Sequence, residues 1–364
     1  MFLYLYQILL TSLIFFISLS SIYADTQNTI RKSIRAQGMG DAFIAVANDE
    51  DLLFYNPAGL AALKGSIINA ISLNVAYNEN LNTLTTAQTM SDLFDSMMGK
   101  KIYAEGHLSG ASFVKKNFGY SLFTGAVLDL ETHTASLPYF DTQAYLQTGF
   151  ATGFAFSFSK SLDMGLTLNS LQREGVVDQV SLSQFADIDP QNASVADLES
   201  LGISVQKKSD FGLDWGMMYH ITQSSSSNLR LAFVIKNLKP MDMGTAGGVL
   251  GTTYNGGLAF ETDLFYGSII LALEHADITY QTTEYKSPQR NMKMGVEFLG
   301  GDALYNGHPL YSLRLGQKGV YPSYGFSLNL WGAKVDYASW SEEYGRYAGD
   351  KEDKRQALQL SLIF

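Results

Sequence analysis

Along most of the chain, apolar and polar side chains alternate with a period of two. Phe211, Leu213, Trp215, Met217 and Tyr219 are separated by Gly212, Asp214, Gly216 and Met218. Leu229, Leu231, Phe233 and Ile235 alternate with Arg230, Ala232, Val234 and Lys236. Tyr324, Phe326, Leu328 and Leu330 alternate with Gly325, Ser327 and Asn329. Successive residues of a β-strand point to opposite faces, so each segment carries one apolar face and one that is small, polar or charged. A soluble sandwich alternates too. Here, large aliphatic and aromatic residues fill the apolar face over about 9–11 residues, the length of a tilted strand that crosses a bilayer. The other face is rich in Gly, Ala and Ser, which suits a crowded lumen. The pattern predicts an all-β fold, a transmembrane antiparallel β-barrel of about fourteen strands. The strands are expected to begin near residues 66, 102, 118, 144, 162, 210, 228, 253, 264, 291, 310, 323, 332 and 356.

Short and long connections alternate. Short ones are placed at Lys116-Asn117, Lys160-Ser161, Ser224–Ser227, Thr262-Asp263 and Trp331-Gly332, with a longer one after Gly300. Long ones cover roughly residues 79–101, 130–142, 174–208, 239–252, 276–290 and 341–355, and the short loop around Gly319 departs from the pattern. With both termini on the short-turn side, the long loops share the other side, as in outer-membrane barrels. The last strand places Leu358, Leu360, Leu362 and the final residue, Phe364, on one face. This ending resembles the address read by the barrel-assembly machinery. That machinery and outer-membrane lipid are therefore expected partners, and the outer membrane of a Gram-negative-type bacterium is the expected location.

Composition narrows the picture further. Apolar residues make up 46% of the chain, yet mean hydropathy is zero, so they are interleaved rather than blocked. The one long apolar run is residues 1–24, ending in Ser21-Ile22-Tyr23-Ala24 before Asp25; it is expected to be a cleaved signal peptide. With no cysteine, disulfides, Cys-ligated zinc and thiol catalysis are excluded. A net charge of −10 without long basic runs argues against nucleic acid as a partner. The five His residues show no metal-ligand spacing, so no metal and no cofactor is expected.

The predicted inward face carries Glu105, Asp163, Asp214, Glu261, Glu274, Glu297 and Asp336 together with Arg230, Lys236, Lys293, Arg314 and Lys334. Such a lumen is expected to be polar, salt-bridged and wet. His107 and Ser109 share a face, as a general base and its nucleophile would, but Glu105 shares it too; the pair reads as lumenal and no enzyme is expected. Asp187, Asp189, Asn192, Asp197 and Glu199 lie in the longest loop, with Asn192 where a calcium loop needs Gly, so this reads as a solvated acidic loop. Leu84–Met98 has the spacing of an amphipathic helix, either a lid or a cover for the barrel rim.

Residues 25–65 do not alternate. They contain Gly38-Met39-Gly40-Asp41-Ala42-Phe43, the acidic stretch Asp49-Glu50-Asp51, and Tyr55-Asn56-Pro57-Ala58-Gly59-Leu60. These motifs resemble the N-terminal hatch of the FadL/TodX family of hydrophobic-compound channels, and more closely their PorV/PorQ-type and UPF0164-type relatives. The resemblance covers about thirty residues; the barrel matches in length and strand number. It implies three parts: residues 1–24 as signal peptide, 25–65 as hatch or plug, and 66–364 as barrel. Arg35, Gly38, Gly40, Asp41, Asn56, Pro57, Ala58 and Gly59 become candidate hatch and gating residues. The basic Arg31, Lys32 and Arg35 would face the acidic lumen, each contact contributing on the order of 1 kcal/mol in a wet site. The function implied is uptake of hydrophobic small molecules, such as long-chain fatty acids, past a plug. The alternative is a PorV-like role, binding protein substrates of a secretion system.

Overall fold

The structure, a computed structural model, describes residues 29–86, 89–133, 139–181, 205–224, 226–281, 287–301 and 309–364. The expected signal peptide and the acidic residues of the longest loop lie outside them. Among the described residues, fourteen strands form one closed antiparallel barrel. They are β1 (Ser66–Asn78), β2 (Lys101–Lys115), β3 (Phe118–His133), β4 (Tyr139–Ser159), β5 (Leu162–Ser181), β6 (Gln206–Gln223) and β7 (Ser227–Lys236). Then follow β8 (Thr253–Leu264), β9 (Gly267–His275), β10 (Met292–Gly300), β11 (Tyr311–Lys318), β12 (Tyr321–Leu330), β13 (Ala333–Glu343) and β14 (Glu352–Ile363). Each strand pairs with its neighbours in sequence, and β14 closes the ring on β1, Leu73 standing opposite Leu360. Closure leaves no unpaired sheet edge, the condition for a sheet to span lipid.

Alternation is realised along the wall, interrupted by register shifts near Ala70, Ala111, Phe158 and Ile221. Phe154, Phe156, Leu313, Leu315, Leu358, Leu360 and Leu362 are exposed on the outside, while Ala151, Asp214, Glu297, Arg314 and Gln359 are buried inside. Phe364 is half-exposed, and its backbone exchanges two hydrogen bonds of 2.8 Å with Ile68. The residues expected to form the assembly signal thus lie on the outward face of the closing strand.

The wall is taller on one side. β4 and β5 have 21 and 20 residues, against 8 to 10 for β10, β11 and β12. That is why β4 starts at Tyr139 rather than near 144, and β6 at Gln206 rather than near 210: the ladder continues past the length a bilayer requires. One turn also moves. The β8–β9 ladder runs on to Leu264 opposite Gly267, so the turn is Phe265-Tyr266 and not Thr262-Asp263. Aromatic residues suit that place, where the wall meets the membrane surface.

In the first long connection two helices stand where one was expected, α3 (Asn82–Thr86) and α4 (Met90–Met97), after α1 (Ile34–Gly38) and α2 (Gly59–Ala62) of the N-terminal segment. Thr89 and Asp92 form a reciprocal capping box that starts α4. At its other end Met97 is buried, and its carbonyl accepts from the Thr132 hydroxyl. Thr132 has the opposite parity to the lumenal Asp129, so it faces outward. The end of α4 therefore covers the rim from outside rather than closing the mouth.

Candidate functional site

Residues 33–60 lie almost wholly buried, and the groups they touch are lumen-facing side chains of the wall. Ser33 caps α1 by accepting from the Ala36 amide. The chain then reverses through two consecutive left-handed residues, Gly40 (φ 64) and Asp41 (φ 63). Gly40 tolerates this freely, and Asp is among the few other residues that do. Its amide donates to Ser323 Oγ at 2.9 Å, and Ser323 Oγ donates to the Gly38 carbonyl at 3.3 Å. The wall is cut away beneath this reversal. A methyl group on Gly316 would strike the Gly40 amide, one on Gly295 would strike the Met39 carbonyl, and the Cβ of Gly38 would sit 3.2 Å from Gly325 Cα.

The second motif works the same way. Asn56 Oδ1 accepts from the Ala58 amide at 3.0 Å, and Asn56 Nδ2 donates to the Ile44 carbonyl at 2.9 Å, tying the two halves of the segment together. Pro57 and Ala58 lie against Gly165 of β5, Asn56 against Gly216 of β6, and Gly59 against the Ala47 carbonyl. The small residues on the wall's inner face thus form a bed for backbone as well as for side chains.

Charge fixes the segment in two layers. In the first, the Arg35 guanidinium reaches both oxygens of Glu297, Nη2 donating to Oε2 at 2.6 Å and Nε to Oε1 at 3.0 Å, and its Nη1 reaches Asp49 at 3.0 Å. Arg314 binds the same Glu297 (3.0 Å) and Asp336 (2.9 Å), and Lys334 bridges Asp336 (3.0 Å) towards Glu50 (3.5 Å). In the second, Asp41 accepts from Lys293 at 2.7 Å and from the Tyr55 hydroxyl at 3.0 Å. Glu274 accepts from the Phe43 and Ile44 amides at 2.9 and 3.1 Å and from Lys293 at 3.2 Å. Burial opposes ionisation of Asp41, but Lys293 and Lys318 hold its carboxyl below the usual value.

The remaining predicted charges have other tasks. Lys236 donates to the Phe54 carbonyl and sits over the Tyr55 ring, 5.1 Å from its centroid. Arg230 pairs with the half-exposed Glu261 at 2.9 Å, towards the short-turn end. Asp163 pairs with His220 at 2.8 Å near that end. Asp214 accepts from Asn169 and from the Asn237 amide, so it holds a loop rather than the plug. Glu105 takes hydrogen bonds with Tyr103 and His107, and Ser109 accepts from Arg31. Ser109 is thus engaged by Arg31 while His107 contacts Glu105, in keeping with a lumenal role for the pair.

Alternation continued one step further would have found Glu342. It has the parity of Lys334 and Asp336, yet lies in a stretch read as loop. It is the wall partner of Lys32 (3.1 Å) and of Lys318 (2.8 Å). The depth of burial was not legible either: the side chains of Arg314 and Glu297 have no exposure. A cavity of about 290 Å³ opens above the plug at the long-loop end, bounded by Lys32, Asp41, Lys236, Glu274 and Lys293. Another of about 300 Å³ lies at the short-turn end, beside Arg35, Glu50, Glu297 and Lys334. Both are charged. The apolar part of the interior lies elsewhere, where Phe54 packs edge-on against Phe123 (5.5 Å) in a buried cluster with Leu171, Met218 and Val234.

A closed fourteen-strand transmembrane barrel with its N-terminal segment inside defines the class of the molecule. Among solved structures, the fold is similar to that of a deltaS2 mutant of the TodX monoaromatic hydrocarbon channel. It superposes with a TM-score of 0.51 at 11% identity, over 91% of this chain and 97% of that one. A FadL homologue of Pseudomonas aeruginosa gives 0.47 at 11% identity (95% and 99% covered). The Pseudomonas putida toluene transporter TodX gives 0.46 at 9% identity (94% and 98%). At this identity the first likeness establishes the fold. No family model and no curated relative matches the chain.

Proposed function

We propose that this protein is an outer-membrane channel through which hydrophobic small molecules, such as long-chain fatty acids, pass a plug formed by residues 25–65. The observation that carries the reading is the pairing of the buried residues 33–60 with an apolar sector in an otherwise charged lumen. Polar solutes would need neither. An apolar molecule gains about 25 cal/mol for each Å² it buries, and the Phe54–Phe123–Leu171 sector is where the interior gathers apolar side chains. Arg35, Gly38, Gly40, Asp41 and the Asn56–Gly59 turn act as the seat of the gate, and Glu297, Arg314, Asp336 and Lys293 as its catch. On this reading the short-turn end is periplasmic, and the barrel-assembly machinery reads the Leu358–Phe364 face. No bond chemistry is involved.

A second reading has its own support. Every strand ladder of the wall is closed, and the cavity at the long-loop end is lined by charge. A barrel of that kind suits a PorV-like platform on which a secreted protein docks. Uptake decides between them. Cells that lack such a channel should accumulate radiolabelled oleate or toluene faster when they express this chain. Equal accumulation with and without it, at confirmed surface expression, would leave the docking platform as the better reading.

A further inference from the structure

The short-turn end of the wall is basic on one side only. Lys64 precedes β1, Lys115 and Lys116 stand where β2 turns into β3, and Lys160 stands where β4 turns into β5. All four are exposed. The other turns at this end, Ser224–Ser227, Phe265-Tyr266 and Trp331-Gly332, carry no lysine or arginine. In a chain of net charge −10, this quadrant is a local surplus of positive charge.

The turns are locked to one another. Asn117, in the left-handed region (φ 69), donates its amide to the Leu60 carbonyl of α2 (3.0 Å), and its own carbonyl accepts from the Ala155 amide of β4 (3.1 Å). Lys64, Lys116 and Lys160 border a single cavity of about 620 Å³, together with Ser157 and Ser159. Asp163, the carboxylate on the same rim, is engaged by His220 (2.8 Å) and by the Ser157 hydroxyl (2.6 Å).

Phenyl rings cover the outside of the wall at this edge. Phe154 and Phe156 are exposed, and Phe158, where the β4–β5 register shifts, is 72% exposed. The Phe118 and Phe154 rings lie 5.4 Å apart. Phe113 has the opposite parity to the buried Ser112 and Val114, so it faces outward. Lys115 Nζ lies 5.8 Å from the centroid of its ring. The stem of Lys115 therefore runs along the apolar wall, as a snorkelling lysine does at a membrane surface.

We propose that this quadrant binds an anionic diacyl phospholipid of the leaflet that meets the short turns. Its phosphate lies on Lys116 and Lys160, and its chains lie along the phenyl rings. Lysines and aromatic rings on one edge match the two halves of such a lipid, phosphate oxygens for the ammonium groups and hydrocarbon for the rings. A zwitterionic lipid would bring an ammonium group of its own into the lysine field. An acidic protein segment would satisfy the lysines but not the rings beside them. The site is on the wall, so it rests on the barrel spanning a membrane and holds whether or not a solute passes the plug.

Native mass spectrometry reads the selectivity. The full chain, in mild detergent, is mixed with equal amounts of palmitoyl-oleoyl phosphatidylglycerol and phosphatidylethanolamine, and the retained lipid is counted. Wild type should prefer phosphatidylglycerol by about tenfold or more, since each lysine near the surface attracts anionic lipid. Lys116→Gln with Lys160→Gln should remove most of that preference. Lys351→Gln with Lys354→Gln takes the same charge from the long-loop end and should keep it. Phe156→Ser with Phe158→Ser should lower retention of both lipids. Heat-modifiable migration checks that each variant is a folded barrel. Equal retention of the two lipids by wild type overturns the site and leaves the lysines to an acidic protein segment. A preference that survives the Lys116 and Lys160 changes, or that the Lys351 and Lys354 changes abolish equally, also overturns it. So does displacement of the bound lipid by sn-glycerol 3-phosphate, which would mark a site for small phosphate esters.

Discussion

Arg35 meets three carboxyl oxygens on two residues, one on the wall and one in its own segment, and its side chain is only 10% exposed. The wet-lumen expectation of about 1 kcal/mol per contact is therefore too low for this residue. Removing one member of a buried ion pair leaves the other charge desolvated, at a cost of about 3–5 kcal/mol. Arg314 stays on Glu297, which puts Arg35→Ala towards the lower end. We expect that substitution to raise hydrogen exchange across residues 33–49 by more than a hundredfold, the factor that about 3 kcal/mol corresponds to. Arg35→Lys, which keeps the charge and loses the fork, should fall between. Exchange indistinguishable from wild type would mean that packing alone seats the segment. Parity in the sequence placed Glu297, Arg314 and Asp336 inside. It did not show that Arg35 would complete them, because that meeting joins positions far apart in sequence.

At the level of elements, the plug rests on glycine. Gly295, Gly316 and Gly325 stand on three adjacent strands and let the Gly38–Gly40 reversal press on the wall's backbone. In the sequence they read only as a small-residue face. Gly316→Ala should displace the plug, since the new methyl would collide with the Gly40 amide, and backbone cannot move aside as a side chain can. Gly106→Ala is the control, because nothing lies within 4 Å of its Cβ position. Limited proteolysis in detergent should cut the Gly316→Ala variant within residues 29–65 much faster than the Gly106→Ala variant. Equal rates for the two would refute the idea that the glycine bed holds the plug. The β7–β8 loop, whose Met241, Met243 and Leu250 are buried in the apolar cluster with Phe123, is an element that the sequence left undetermined. All three are apolar residues in a long loop, and nothing local says whether they fold over the rim or into the barrel.

For the whole molecule, the proposed function divides the chain into a wall that inserts and an N-terminal segment that seals. Deleting residues 25–62 should leave a barrel that still inserts, because all fourteen ladders lie outside the deletion. Its conductance in planar bilayers should be far above that of the intact chain. A truncated barrel that conducts no better would show that the inward loop, or the collapsed wall, seals the lumen by itself. The sequence alone determined the barrel, its strand number, the alternation of turns and loops, and which side chains face in. All of these follow from a period-two pattern, which each strand expresses independently of the others. Only the tertiary structure decided that the Glu297–Arg314 pair is fully buried, that Arg35 joins it, and that the β7–β8 loop reaches the N-terminal segment through Arg173 and Gln147. Those outcomes depend on which distant residues closure of the ring brings within a few ångströms, and a local pattern carries no record of that.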